Sequence, residues 1–281
     1  MSRAVLTGFS RLDPLARAAA ALILFFVLLS VLRPWLPIGD PEDIAVGPRL
    51  GPPSWQFPLG TDELGRSFLP RAVEGVRTTF FLSTVAVLVT ALCGTVIGMF
   101  AAYRGGRSDM ILMRAADVLF SFPAILLGFL ISAVIGPGIV PAMAVISIAT
   151  LPLFVRVVRA VSLIVAGREF VTVAEVAGAS VSRVLLVHIL PNIAGAIMVQ
   201  MTYAISVGML IESGISFLGL GTQPPHSSLG SLLRLGTDYL TAAPWLTLSS
   251  GILLALIIAS INLLGDGIRD LLDPLDPWPL S

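Results

Sequence analysis

Phe170-Val-Thr-Val-Ala-Glu-Val-Ala-Gly-Ala-Ser180, running on to His188-Ile-Leu-Pro-Asn192, is a charge-bearing, small-residue stretch set between two strongly apolar runs. Arg156, Arg159, Arg168 and Arg183 surround it. Hydrocarbon rejects such a stretch, because a guanidinium at the centre of a membrane helix costs ~2.5–3.5 kcal/mol. It is therefore expected outside the bilayer. Helical spacing puts Phe170, Val173, Ala174 and Ala177 on one stripe, with Arg168, Glu169 and Glu175 off it and Gly178 at the helix end. A short amphipathic peg of this kind either packs on the span ends of its own chain or docks on another surface. Its Ala/Gly face is shaped for close approach.

Composition sets the class. The chain is 56% hydrophobic and only 12% charged, with a mean hydropathy of +0.95. That leaves too few charges to cover a soluble globule of 281 residues, so an integral, all-α membrane protein in contact with the lipid bilayer is expected. A net charge of zero argues against a nucleic-acid partner, which calls for a basic excess. With one cysteine, Cys93, and two histidines, His188 and His226, neither a disulfide framework nor a Cys- or His-based metal cage is available. All 17 basic residues are arginine. Without a lysine the chain cannot supply the Walker A side chain that reaches nucleotide phosphates. No cofactor is expected in this chain, and ATP with its Mg, if used, belongs to another polypeptide.

A span needs about 17–25 residues. Ala18–Leu32 is short, but Arg17 and Arg33 can snorkel from its ends. Thr78–Tyr103 is the second span. Val118–Val155 is too long for one crossing and is divided by Gly136-Pro137-Gly138 into a hairpin of spans three and four. Val184–Ile211 and Tyr239–Gly265 complete six. Both termini then share a side with eleven of the arginines, which the positive-inside rule makes cytoplasmic, together with the 156–190 segment. Arg3, Arg11 and Arg17 resemble the n-region of a signal peptide, but no small-x-small cleavage site follows, so an anchor helix is expected. The expected organisation is an anchor helix with a long extracytoplasmic loop over 1–77, and a five-helix core over 78–281 that carries a docking segment at 163–190.

Six motifs occur in order: Leu59-Gly-Thr-Asp-Glu-Leu-Gly-Arg66; Tyr103-Arg-Gly-Gly-Arg-Ser-Asp109 with Met113-Arg114-Ala-Ala-Asp117; Leu151-Pro-Leu-Phe-Val-Arg156 with Arg159; the opening segment; Glu212-Ser-Gly-Ile-Ser-Phe-Leu-Gly-Leu-Gly221 with Gln223-Pro-Pro225; and Asn262-Leu-Leu-Gly-Asp-Gly-Ile-Arg-Asp-Leu-Leu-Asp-Pro274. From about Leu59 onward the chain resembles the second permease subunit of ABC importers of the dipeptide, oligopeptide and nickel group. The resemblance implies a six-helix type I importer permease of the cell inner membrane that works by alternating access. It implies a second homologous permease, two ATPase subunits and an extracytoplasmic solute-binding protein as partners. The implied solute is a di- or oligopeptide, with nickel chelates or glutathione as the alternative. It also implies that the segment between spans four and five is a coupling helix seated in a groove of an ATPase subunit, through Glu169, Phe170, Thr172, Val173, Ala174, Glu175, Ala177, Gly178, Ala179, Leu190 and Pro191. Gly178, Leu190 and Pro191 match the family pattern. Its Glu-Ala-Ala falls on Thr172, Val173 and Ala174, so the acidic position is not kept, and Glu169 or Glu175 would supply the charge from one turn away. Other departures are Ser67, Pro70 and Leu229, where a Trp is usual; they are expected in outer loops, where they bear on partner contact.

The remaining charges admit two readings each. Arg114 and Asp117, three apart, form an ionic cap or a gate contact. Arg156 and Arg159 anchor span four at the interface, or touch the docking segment or a partner. Asp266, Arg269, Asp270 and Asp273 have the one-turn spacing of a local ion-pair collar. Glu212, near the outer end of span five, is a structural group or a contact to a partner permease or docked binding protein. Tyr203, Ser206 and Ser213 either line a wet pathway or join helices. A secondary transporter, which needs no ATPase, is the rival class; the span centres lack the Asp, Glu or Arg that such a protein usually carries.

Overall fold

The computed structural model describes residues 13–35 and 37–272. Arg3, Arg11 and the closing Asp273-Pro274 of the last motif lie outside them. The described chain is helical, and its β pairing is confined to an isolated bridge between Thr61 and Ser67. In chain order the helices are α1 (Pro14–Leu32), α2 (Phe68–Arg104), α3 (Gly106–Phe120), α4 (Ala124–Ile135), α5 (Ile139–Ala166), α6 (Glu169–Val176), α7 (Val181–Phe217), α8 (Leu229–Asp238) and α9 (Pro244–Leu272).

Among the described residues, α1, α2, α5, α7 and α9 are each long and apolar enough to cross a membrane, and α3 with α4 qualifies only as a bent pair, which gives five such helices or six if the pair is one broken span. The expected six spans correspond to these five helices plus the bent pair, so span three is not the straight limb that the run from Val118 suggested. It bends by 85° between α3 and α4. Pro123 sits at the bend: it disfavours helical geometry at Phe122 and has no N–H to continue the ladder. At twelve residues, α4 spans only ~18 Å and cannot cross alone. The division at Gly136-Pro137-Gly138 is where expected, with Gly136 at φ 86° and Gly138 at φ 154°.

Span two also differs, because α2 begins at Phe68 rather than Thr78. Its 37 residues reach ~55 Å against a hydrocarbon core of ~30 Å, so its first turns, with Arg71, Glu74 and Arg77, stand clear of the membrane. A domain boundary at residue 77 thus falls inside a continuous helix.

Glycines set the spacing of the central bundle. A Cβ on Gly94 would lie 2.8 Å from the Phe154 ring, and one on Gly98 would lie 2.8 Å from both the Val155 carbonyl and Val158, so α2 and α5 are in close backbone contact. Gly208 brings α7 against Ile146 of α5 and Ser83 of α2. The main core, including Ala86, Val87, Ile146, Phe154, Val158 and Ala204, lies between these three helices. α1 adds itself through Phe26, which joins Leu254, Ile257 and Ile261 of α9.

The end opposite α6 is closed by the loop before α2 and by α8. Asp62 is fully buried. It accepts from the N–H groups of Leu64 (2.8 Å) and Arg66 (2.9 Å), from Arg66 Nε (2.6 Å) and from Arg71 Nη1. Arg71 Nη2 also reaches Ser227 Oγ at 3.3 Å, tying α2 to the approach to α8. The family departures lie here as well, and they are not loop surface: Pro70 is buried in α2, and Leu229 is buried against Val76 and Met209. Leu229 occupies a packing position because the first turn of α8 points into the bundle.

Candidate functional site: a docking peg and a polar seam

The predicted peg is a helix, and both of its ends have local causes. Arg168, extended at φ −81° and ψ 147°, precedes α6, and Glu169 places a carboxylate in its first turn, where the helix dipole favours it. At the other end Gly178 takes φ 83°. Its N–H donates to the Glu175 carbonyl (2.9 Å) and that of Ala179 to the Ala174 carbonyl (3.0 Å). This is the paired closure that a left-handed glycine permits. Ser180 then starts α7 by accepting from the Arg183 N–H. Gly178 is required for its backbone, since a Cβ there would meet nothing within 4 Å.

One side chain of α6 is buried in the bundle. Val171 is 1% exposed and packs in the main core with Val165, Val184 and Ile189. The opposite side is bare: Val173 is 67% and Val176 85% exposed, with Phe170 at 39%. Thr172, Glu169, Ala177 and Gly178 are exposed around them, while Ala174 and Ala179 are half-buried. The stripe read from the sequence therefore needs a correction. Ala174 turns toward the bundle and Val176 takes its place on the outward face. Val171 was missed as the anchor, although its position, one residue on from Phe170, already sets it on the side away from Val173. Glu175 faces the Tyr103 hydroxyl of α2, leaving Glu169 as the more outward carboxylate.

Beyond the peg, the start of α7 is a π turn over Val184–Ile189. The Leu190 N–H reaches back to the Leu185 carbonyl, which accommodates Pro191, a residue with no N–H to donate. The Asn192 side-chain amide donates to the His188 carbonyl at 2.7 Å. Leu190 is half-buried and Pro191 exposed, so these residues shape the base of the peg.

The arginines near the peg pair with α3. Arg156 Nη2 lies 2.6 Å from Asp117 Oδ1, and the same guanidinium sits 4.8 Å above the Phe120 ring. Arg159 clamps Asp109 with two hydrogen bonds, Nε to Oδ1 and Nη2 to Oδ2. The expected Arg114–Asp117 pair is left at 3.9 Å on the surface. No ion pair forms among Asp266, Arg269 and Asp270, so the collar expected after span six is not made by the described residues.

The expected pathway residues are not brought together. Ser206 and Ser213 are buried, at 3% and 5% exposure, and their hydroxyls have no partner among the described residues. Tyr203 is 50% exposed on another side of α7. Glu212 is fully buried, so it has no surface with which to touch a second chain. Its carboxylate accepts from Thr79 Oγ1 (2.8 Å), Ser216 Oγ (2.7 Å) and Thr222 Oγ1 (3.5 Å). Thr79 Oγ1 in turn accepts from the Leu229 N–H at 3.0 Å. One carboxylate thereby joins α2, α7, the following loop and α8. Among the described residues no three His, Cys, Asp or Glu side chains are grouped to hold a metal ion.

The described residues thus form a bundle of long apolar helices with a short, outward-facing apolar helix, α6, set between α5 and α7. Residues 94–275 match the binding-protein-dependent transport system inner membrane component family, and the chain belongs to it. It is 39% identical to a putative peptide transport system permease protein of Brucella suis, over 92% of this chain and 87% of that one. It is 35% identical to the di/tripeptide transport system permease protein DppC of Pseudomonas aeruginosa, over 90% and 85%. Among solved structures, an inward-facing form of the MetNI methionine ABC transporter aligns with a TM-score of 0.59 at 15% identity, over 71% of this chain and 95% of that chain. This last likeness concerns the fold, that of a type I ABC importer permease.

Proposed function

We propose that this chain is one of two permease subunits of an importer for di- or oligopeptides, with α6 seated in a groove of an ATPase subunit. On this reading the α6 end is cytoplasmic, ATP and Mg are bound by the two ATPase subunits, and an extracytoplasmic binding protein delivers solute to the opposite end. ATP-driven closure of the ATPases moves α6, and the bundle re-angles to alternate its access. The observation that carries the reading is the bare apolar face at Val173 and Val176, with Phe170 beside it, on a short helix whose one buried side chain is Val171. Exposed apolar side chains grouped on a short, well-capped helix mark a protein contact. The peptide names of the relatives favour peptides over nickel chelates or glutathione.

The test is Val173→Glu or Ala177→Arg in the assembled importer. A charge at the centre of a docked face removes a hot-spot contact of ~2 kcal/mol or more, about a thirtyfold loss of ATPase-coupled peptide uptake. The amount of permease in the membrane stays unchanged. Undiminished uptake in both variants would falsify the docking role. Gly178→Arg is the weaker probe, because φ 83° strains any side chain there whatever docks.

A further inference from the structure

Between the α6-side halves of α7 and α9 lies an open groove of about 370 Å³. Gln200, Thr202 and Tyr203 line it from α7, and Asn262, Asp266 and Arg269 from α9. Its floor is a close contact: a Cβ on Gly265 would lie 2.3 Å from Thr202 Oγ1. Tyr203, Asn262, Asp266 and Arg269 are all exposed. The polarity is local to this half. Two turns beyond Tyr203 the same side of α7 carries Leu210, 55% exposed, and four turns before Asn262 the matching side of α9 carries Leu248, 59% exposed. Leu256, off the groove on α9, is 44% exposed. An amide, a phenol, a carboxylate and a guanidinium on one face do not lie against lipid tails, so this groove faces water or protein.

We propose that the groove is a water-filled section of the solute pathway open to the α6 end, where Asp266 and Arg269 receive the ammonium and carboxylate ends of a zwitterionic solute. The two charges stand one turn apart on α9 and form no ion pair among the described residues. One turn apart, they present opposite charges to the same groove, the arrangement a zwitterion would match. That the ligand is a transported solute rests on the importer reading above.

Cys93 is the chain's one cysteine, so a Cys93→Ser background allows Tyr203→Cys, Asn262→Cys and the lipid-side control Leu256→Cys to be labelled in inverted vesicles holding the whole importer. A thiol must ionise to react, which water permits and hydrocarbon suppresses. Tyr203→Cys and Asn262→Cys should react with a charged, membrane-impermeant methanethiosulfonate roughly tenfold or more faster than Leu256→Cys. High concentrations of dialanine should slow that reaction while its N-acetylated amide does not, and Asp266→Asn should remove the protection. Rates equal to that of Leu256→Cys overturn the proposal. So does reaction that appears only when the second permease is absent, which would make the groove a contact between permeases. Fast labelling without dialanine protection overturns the solute site. Vesicles of the unaltered importer that take up no peptide with ATP sink the importer reading instead, and the labelling rates remain readable in them.

Discussion

The two ends of this bundle are finished in opposite ways. At the end away from α6, two buried carboxylates are matched within the chain: Asp62 with Arg66 and Arg71, Glu212 with three hydroxyls. At the α6 end, apolar groups are exposed on a short helix whose one buried side chain is Val171. Ion pairs occur there too, but Arg156–Asp117 and Arg159–Asp109 are partly open to solvent. A buried charge pair is costly to assemble and more costly to break, so it fixes geometry. An exposed apolar face costs the folded chain little until it has something to cover it. The contrast is between carboxylate networks that fix the far end's geometry and an apolar helix face on α6 that is open to a contact.

The strongest way to break the contrast is Asp62→Ala. It strips Arg71, 8% exposed, of its counter-charge and leaves a buried guanidinium unpaired, a loss of ~3–5 kcal/mol. Thermal unfolding of the purified permease should show it as a sharply lowered midpoint; an unchanged midpoint means that the far end is not held by this network. Glu212→Ala comes next. It leaves the Thr79, Ser216 and Thr222 hydroxyls without their acceptor, for ~1–3 kcal/mol. Glu212→Gln, which keeps one carbonyl oxygen, should recover part of the loss in the same assay. If the Gln and Ala variants unfold alike, the carboxylate is not the joint between α2 and α8.

How much of this was readable beforehand follows from what decides each feature. The spans and the peg are set by local composition and period, and they appear near where the hydropathy put them, although α2 starts at Phe68 rather than Thr78, span three is bent, and the outward stripe exchanges Ala174 for Val176. Even the peg's end was legible, because a glycine after the last periodic residue is a backbone requirement. What was not legible depends on partners distant in sequence. The two readings of Glu212, a structural group or an outer contact, could not be separated because nothing near it announces Thr79, more than a hundred positions away. Arg156 and Arg159 gave no hint of Asp117 and Asp109, since α3 is brought to them by a bend at Pro123 that an unbroken apolar run conceals. The serines were illegible for a further reason: spacing along one helix shows that Ser206 and Ser213 share a face, but not which neighbour covers it.

The smaller effects sharpen the α6 end. Val171→Ala deletes two buried methyl groups, each ~0.8 kcal/mol with a cavity contribution added, so it should destabilise by about 1–3 kcal/mol. Unlike Val173→Glu, it should act first on the folding of α6. Proteolysis at the exposed Arg168 and Arg183 should rise before uptake is lost, and equal cleavage of variant and parent would mean that α6 is held by something other than its buried valine.

The smallest effect separates the two candidates for Asp117. If the pair within α3 mattered most, Arg114→Ala would cost as much as Arg156→Ala. The geometry says otherwise: Arg114 lies at 3.9 Å with an 81% exposed side chain, whereas Arg156 sits at 2.6 Å and also covers Phe120. An exposed pair at that separation contributes within ~0.5 kcal/mol. The contact from Arg156 joins two helices and adds a cation–π interaction of about 0.5–1 kcal/mol to its charge pair. Arg114→Ala should therefore leave the unfolding midpoint where it was, while Arg156→Ala lowers it and Asp117→Ala added to Arg156→Ala lowers it little further. Additive losses in that double variant would show that Asp117 works through Arg114 after all, and that α3 is not held to α5 at this point.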